Sequence, residues 1–223
     1  MTDDRSPLSR LSDQRVEYGA RGEAAAGTDP FTFFSQWYAE AQAEIREPNA
    51  MLLATASDSG PDARIVLLKG VDPAGFTFFT NYTSAKGLQI AADARVALVL
   101  PWHDMHRQVR VQGIATRTSA AVSDEYFAAR PRGAQVGARA SHQSQPVDSR
   151  AAMHAAFDRV EAEFADAEVP RPEQWGGYTV APHRIEFWQG QANRFHDRFV
   201  YESADRPAAL DDAAAWTVAR LDP

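Results

Sequence analysis

Apolar spacing divides the chain into a helix, a long run of short strands, further helices and a return to strand. Phe34, Trp37, Tyr38, Ala41 and Ile45 recur every three or four residues and predict an amphipathic helix. Asp29-Pro30 opens it, an N-cap acid followed by a proline in the first turn. Ala50 to Ser57 is apolar and stops at Asp58-Ser59-Gly60-Pro61; Ala63 to Val71 follows, and Asp72-Pro73-Ala74-Gly75 leads into Phe76 to Asn81. Three strands joined by such short turns predict an antiparallel meander. Ser84 caps a short helix to about Ala91, and Arg95 to Trp102 and Gln108 to Arg117 are two more strands.

Ser123 to Arg130 reads as a helix that stops before Pro131, and a Gly/Ala-rich stretch follows. Ser149 to Asp166 is a stronger helix, with Met153, Ala156, Phe157, Val160 and Phe164 on one face. Gly177 to Val180, Arg184 to Gln189, Asp197 to Tyr201 and Trp216 to Leu221 return to strand, with a surface loop over 203–214. Short strands with helices inserted, and no internal repeat, predict a mainly β chain with helices (α+β) built on a small antiparallel barrel. Residues 1–28 are polar and predict a mobile N-terminal arm; 29–223 form a single domain.

The stretch from Ile185 to Arg198 concentrates the chemistry. Glu186 and Trp188 alternate with Ile185 and Phe187, Gly190 permits a turn, and Arg194, His196 and Arg198 then alternate with Phe195 and Asp197. On an extended strand the three basic groups share one face, a row of donors for an anion, with Phe195 turned to the barrel.

Composition narrows the classes. With 223 residues, 44% of them hydrophobic, the chain can bury a real core. A net charge of −7 argues against nucleic acid or a membrane surface as partner, so an anion site must be a local basic pocket. There is no cysteine, which excludes a disulfide or a zinc-thiolate site. The N-terminal residues form no long apolar run, which predicts neither signal peptide nor membrane span and a cytoplasmic setting. His103 and His106 read as part of a polar loop, without a third metal ligand at useful spacing. No dinucleotide fingerprint, Walker loop or His-Glu-x-x-His is present. What remains is a set of basic and amide residues on strands and strand ends, suited to a phosphorylated small molecule.

Several blocks resemble one family in its order: Arg64-Ile65-Val66-Leu67-Leu68-Lys69, Phe79-Thr80-Asn81, Ser84-Ala85-Lys86, Arg107-Gln108-Val109, Tyr126-Phe127 with Arg130-Pro131-Arg132, Gln143-Ser144, Trp175-Gly176-Gly177, Glu186-Phe187-Trp188-Gln189-Gly190 and Arg194-Phe195-His196-Asp197-Arg198. The chain resembles the pyridoxine/pyridoxamine 5′-phosphate oxidases. The resemblance implies an antiparallel split β-barrel, a homodimer with FMN at the subunit interface. The implied reaction oxidises phosphorylated B6 vitamers to pyridoxal 5′-phosphate, with hydride passing from the C4′ carbon to the flavin and O2 as acceptor. It assigns FMN to Arg64, Ile65, Val66, Leu67, Leu68, Lys69, Phe79, Thr80 and Lys86 of one subunit. Gln108, Gln143, Ser144, Trp188 and Arg198 reach the cofactor from the other. The substrate phosphate falls to Lys69, Tyr126 and Arg130. Arg194, Phe195 and His196 face the substrate ring, with Arg194 and His196 as the catalytic pair. Arg15 and Tyr18 form an arm that closes over the site. No metal is implied.

Two positions depart from the commoner family pattern. Ala85 stands where many members carry an arginine on the FMN phosphate, and Ala134 where many carry a serine on the substrate phosphate. Each loss removes about 1–3 kcal/mol of contact unless replaced. Two other readings stand beside the oxidase: a split-barrel reductase on another flavin-like cofactor, and a carrier of FMN or pyridoxal phosphate without turnover. The intact 130–132 and 194–198 blocks speak against the reductase, and oxygen uptake separates oxidase from carrier.

Overall fold

The structure, a computed structural model, describes residues 16–19, 22, 24–204 and 207–223. Helix α1 (Pro30–Glu44) begins where Asp29 accepts the Thr32 N–H at 2.7 Å. The strands are β1 (Ala50–Ser57), β2 (Gly60–Leu67), β3 (Gly70–Asp72), β4 (Gly75–Asn81), β5 (Arg95–Trp102), β6 (Arg107–Arg117), β7 (Trp175–Gln189), β8 (Asp197–Ser203) and β9 (Trp216–Arg220). The remaining helices are α2 (Ala85–Ala92), α3 (Ala120–Ala128), α4 (Arg132–Ala140) and α5 (Arg150–Phe164).

All pairings are antiparallel, in the order β2-β1-β5-β6-β7-β4-β3, with β8 and then β9 added beside the C-terminal half of β7. The path leaves β2 and β3 at opposite ends, joined only by Leu68-Lys69, so the barrel is split. Alternation fills its inside: Met51, Leu53, Leu98, Leu100, Val109, Val111, Ile185 and Phe187 are buried. Helix α1 plugs one end with Phe33, Phe34 and Trp37, each side chain contributing about 1.5–3 kcal/mol by burial. A smaller core of Phe127, Val136, Val169 and Trp175 lies under α3, α4 and α5.

Several expectations are corrected. The expected strand Ala63–Val71 is two strands, because the chain leaves the sheet at Leu68, whose N–H donates to Asn49, and re-enters beside β4. The three-strand meander is therefore absent: β2 pairs with β1, and β4 pairs with β3 and β7. Gly177–Val180 and Arg184–Gln189 are one strand, with Pro182 tolerated beside the irregularity at Gln112/Gly113. Helix α3 starts earlier than the expected Ser123, because Ser119 caps it, and ends at Ala128. The Gly/Ala-rich stretch is α4. Helix α5 keeps its expected Ser149 cap and packs Phe157, Val160 and Phe164 against the smaller core, but Met153 on the same expected face is exposed.

The largest correction concerns 191–198. Residues Ala192–Arg194 make a 3-10 turn in which Asn193 and Arg194 have φ of 56° and 65°, and strand resumes only at Asp197. Arg194, His196 and Arg198 therefore do not form an extended row. Phe195 does not face the barrel; it is 77% exposed.

Candidate active site

A cavity of about 650 Å³ opens between the split edge and the smaller core. Strand β2 supplies Ile65, Val66 and Leu67, the β2–β3 link Lys69, and β4 Phe79 and Thr80. Helix α2 supplies Lys86, and the far wall holds Tyr126, Arg130 and Gln143. The lining carries three cations and no carboxylate, in a chain of net charge −7.

Two of these cations, Lys86 and Arg130, and the neighbouring Arg64, which does not itself line the cavity, are held differently. Lys86 donates to Gln143 Oε1 at 3.2 Å and Ser84 Oγ at 3.4 Å, and Thr80 Oγ1 donates to the same Gln143 oxygen at 3.3 Å. Burial lowers the Lys86 pKa below its ordinary value, Arg64 lowers it further, and Asp62 opposes both. Arg64 is braced from β2 across β1, donating to Thr55 Oγ1 at 2.7 Å, Gln89 Oε1 at 2.8 Å and Asp62 Oδ2 at 2.5 Å. Arg130 lies over Trp175 with 4.6 Å from guanidinium carbon to ring centroid. Its Nη1 is buried and has no hydrogen-bond partner among the described residues, and burial lowers its pKa. A guanidinium nitrogen is costly to bury unpaired, so the cavity suits a ligand that brings an anion there. Beside it Phe79, Tyr126 and Trp175 stack nearly parallel, Phe79 and Tyr126 at 3.9 Å between centroids.

Other expected residues lie elsewhere. Gln108, Trp188 and Arg198 are directly opposed on β6, β7 and β8, so they share one outer face of the sheet. Glu186 lies on that face two residues from Trp188, yet its side chain is only 1% exposed. Arg198, Arg110 and Arg184 surround it at 2.9, 3.2 and 3.6 Å. Past Gly190, His196 packs on Trp188 with centroids 4.7 Å apart, and its Nδ1 accepts the Gln191 N–H at 3.1 Å. That leaves Nε2 to carry the proton of the neutral ring. Burial, then Arg194 and Arg198, lower its pKa below 6.5. Arg194 is exposed, and Tyr18 stands 5.9 Å from the His196 ring. Arg15 lies outside the described residues.

Comparison with known proteins decides the family. The family described as pyridoxamine 5′-phosphate oxidase matches residues 38–164, and the pyridoxine 5′-phosphate oxidase C-terminal dimerisation region matches 175–223. The chain is 50% identical over 222 residues to a pyridoxine/pyridoxamine 5′-phosphate oxidase of Salinibacter ruber, covering 97% of this chain and all of the relative. The chain belongs to the pyridoxamine 5′-phosphate oxidase family. Among solved structures, PhzG from Burkholderia lata, crystallised with tetrahydrophenazine-1-carboxylic acid, is similar with a TM-score of 0.80 and 30% identity, over 88% of this chain and 94% of that one. A pyridoxamine 5′-phosphate oxidase-related, FMN binding protein of Nostoc punctiforme shares the fold at a TM-score of 0.67 and 14% identity, over 90% of this chain and all of that one.

Within the family frame, the chain brings one set of expected residues together and keeps a second set apart. Gln143, assigned by resemblance to the opposite subunit's share, lies on the same cavity as Lys86 and Thr80. Ser144, at φ 72°, lines a neighbouring hollow instead, and Leu68 turns into the core. Two residues carry more than the sequence signalled. Glu186 organises three arginines, and a carboxylate between apolar strand positions was the only sign of it. Trp175 seats Arg130, a contact across 45 positions that no spacing rule reveals. Among the described residues no helix is long and apolar enough to cross a membrane.

Proposed function

We propose that this chain is an FMN-dependent oxidase that converts pyridoxine 5′-phosphate and pyridoxamine 5′-phosphate to pyridoxal 5′-phosphate, and that it acts as a homodimer. The observation that carries the reading is the buried Nη1 of Arg130, without a hydrogen-bond partner among the described residues, on a cavity whose charged lining residues are all cations. Arg130, Lys69 and Tyr126 hold the substrate phosphate in this reading, a guanidinium fork and a point charge against one dianion. Arg64 and Lys86 hold the cofactor phosphate at the other end of the cavity, and the β2 backbone from Ile65 lines the ring system. FMN, when bound, supplies the redox chemistry, taking two electrons from the substrate's C4′ carbon and delivering them to O2 to give hydrogen peroxide.

The outer face that carries Gln108, Trp188 and Arg198 completes the partner's site. The match to a dimerisation region over 175–223, which includes Trp188 and Arg198, supports this. A twofold interface then builds two equal sites, each from one cavity and one partner face. Arg194 and His196 position the substrate ring, and His196 Nε2–H donates to a polar ring substituent. Positioning of this kind acts on turnover as well as on binding.

The test is oxygen uptake by the purified, FMN-loaded protein. Uptake with both phosphorylated vitamers, equal hydrogen peroxide, and ammonia from the amine alone support the reading. Bound FMN without uptake at saturating substrate overturns it in favour of a carrier.

A further inference from the structure

His106 lies in the connection between β5 and β6 and takes no part in the proposed chemistry. Its ring nevertheless makes the shortest contact in a cluster of four. The Tyr18 and His106 centroids are 4.2 Å apart, and Tyr18 also meets His196 at 5.9 Å and Trp188 edge-on at 6.1 Å.

The backbone around His106 is fixed from both sides. It closes the 3-10 turn His103–Met105 in the left-handed region, at φ 52° and ψ 40°. Its carbonyl accepts the Gly190 N–H at 2.7 Å and Gln189 Nε2 at 3.3 Å, which ties it to the end of β7. Gly190 provides the space: a β-carbon there would lie 2.8 Å from Tyr18 Cδ2 and 3.0 Å from His106 Cβ. Behind Tyr18 the chain is tethered to the same corner. Gln191 Nε2 donates to Gly22 O at 3.4 Å, the Ala24 N–H to Asp197 Oδ2 at 3.3 Å, and Tyr201 Oη to Gly27 O at 2.8 Å.

We propose that His106 is a positioning residue for the N-terminal segment, its ring being the seat that holds Tyr18 against Trp188 and His196. The proposal rests on the oxidase reading for its kinetic consequence, because there Trp188 and His196 face cofactor and substrate. The tethers bring the segment to this corner, but they bond backbone or act beyond Tyr18. Among the described residues, His106 gives the Tyr18 ring its nearest aromatic neighbour. An offset ring contact fixes where the phenol lies while leaving it free to leave with product.

The experiment uses the full FMN-loaded chain with His106→Asn, which keeps a side chain tolerant of the left-handed backbone but removes the ring. Two readouts are followed: steady-state kinetics with pyridoxine 5′-phosphate, and the rate of tryptic cleavage within residues 1–28. The expected result is a KM raised roughly three- to tenfold with kcat within about twofold, and faster cleavage. FMN content stays unchanged. Tyr18→Ala combined with His106→Asn is no worse than Tyr18→Ala alone, since both act through one contact. Unchanged KM and cleavage in His106→Asn, or full additivity with Tyr18→Ala, overturns the proposal. If the unaltered protein takes up no oxygen, the oxidase reading fails by itself. The cleavage rates then still decide whether His106 seats the segment.

Discussion

Arg198 places both Nε and Nη2 on a single oxygen of Glu186, at 3.0 and 2.9 Å. The other carboxylate oxygen is left for Arg110 and Arg184. One buried acid thereby fixes the guanidinium that stands opposite Trp188 on the sheet. Glu186→Ala is expected to destabilise the fold by about 2 kcal/mol, because it strips a charged acceptor from three arginines. The cost stays below that of a fully enclosed pair, since those side chains are 25–41% exposed. A urea midpoint equal to the unaltered protein's would contradict this.

In the proposed oxidase, Arg64 serves the cofactor phosphate and Arg130 the substrate phosphate. Arg130→Ala is expected to keep FMN bound and raise KM for phosphorylated substrate by about 10- to 100-fold, a loss of roughly 1.5–3 kcal/mol. Arg64→Ala is expected to weaken FMN retention instead. Flavin absorbance after gel filtration, with kinetics on reloaded protein, checks both; loss of flavin from Arg130→Ala would reverse the assignment.

Ala85 occupies the first turn of α2, beside Lys86, and is exposed. Ala85→Arg supplies the cation that the family resemblance implies at this position and is expected to tighten FMN binding by about 1–2 kcal/mol. Titration of FMN fluorescence against the apoprotein measures it. No tightening would mean that Arg64 and Lys86 already meet the phosphate fully.

His196 carries the pH dependence. Burial first, then Arg194 and Arg198, holds its pKa below 6.5. The unfolded chain takes up this proton near 6.5 and the folded chain only at lower pH. The associated stability is thus present above 6.5 and lost as pH falls through that window. Arg194→Ala removes one of the two repulsions and is expected to move the imidazole midpoint upward. Proton NMR of the His196 ring reads it directly, and an unmoved midpoint would show that Arg194 does not act on this ring.

The sequence made the local elements legible and the long-range ones less so. Asp29 and Ser84 cap where expected, and Ala50–Ser57 and Arg95–Trp102 hold their boundaries, because capping and alternation are local. The exit of the chain at Leu68 was not legible, since Ile65 to Val71 stays apolar enough to read as one strand and only pairing with distant strands divides it. Helix α4 contains Gly133 and Gly137, poor helix formers, and is held by Val136 in the smaller core. Alternation across 194–198 suggested a strand, but a left-handed pair at Asn193 and Arg194 breaks the register before it starts. The cavity's cations were named through family blocks. Their meeting on one surface, with Arg130 unpaired and the Trp188 row apart, depends on the fold.

That separation supports the central claim, that each site is built from the cavity of one chain and the outer face of another. Complementation tests it most directly. Arg130→Ala damages the cavity and Arg194→Ala the other share, and each variant alone is expected to turn over poorly at low substrate. After random mixing of subunits, half the dimers pair one of each, and every such dimer carries one undamaged site. The account expects the mixture to recover about one quarter of the unaltered protein's low-substrate activity. Activity no greater than the average of the two separate variants, with mixed dimers shown to be present, would contradict it.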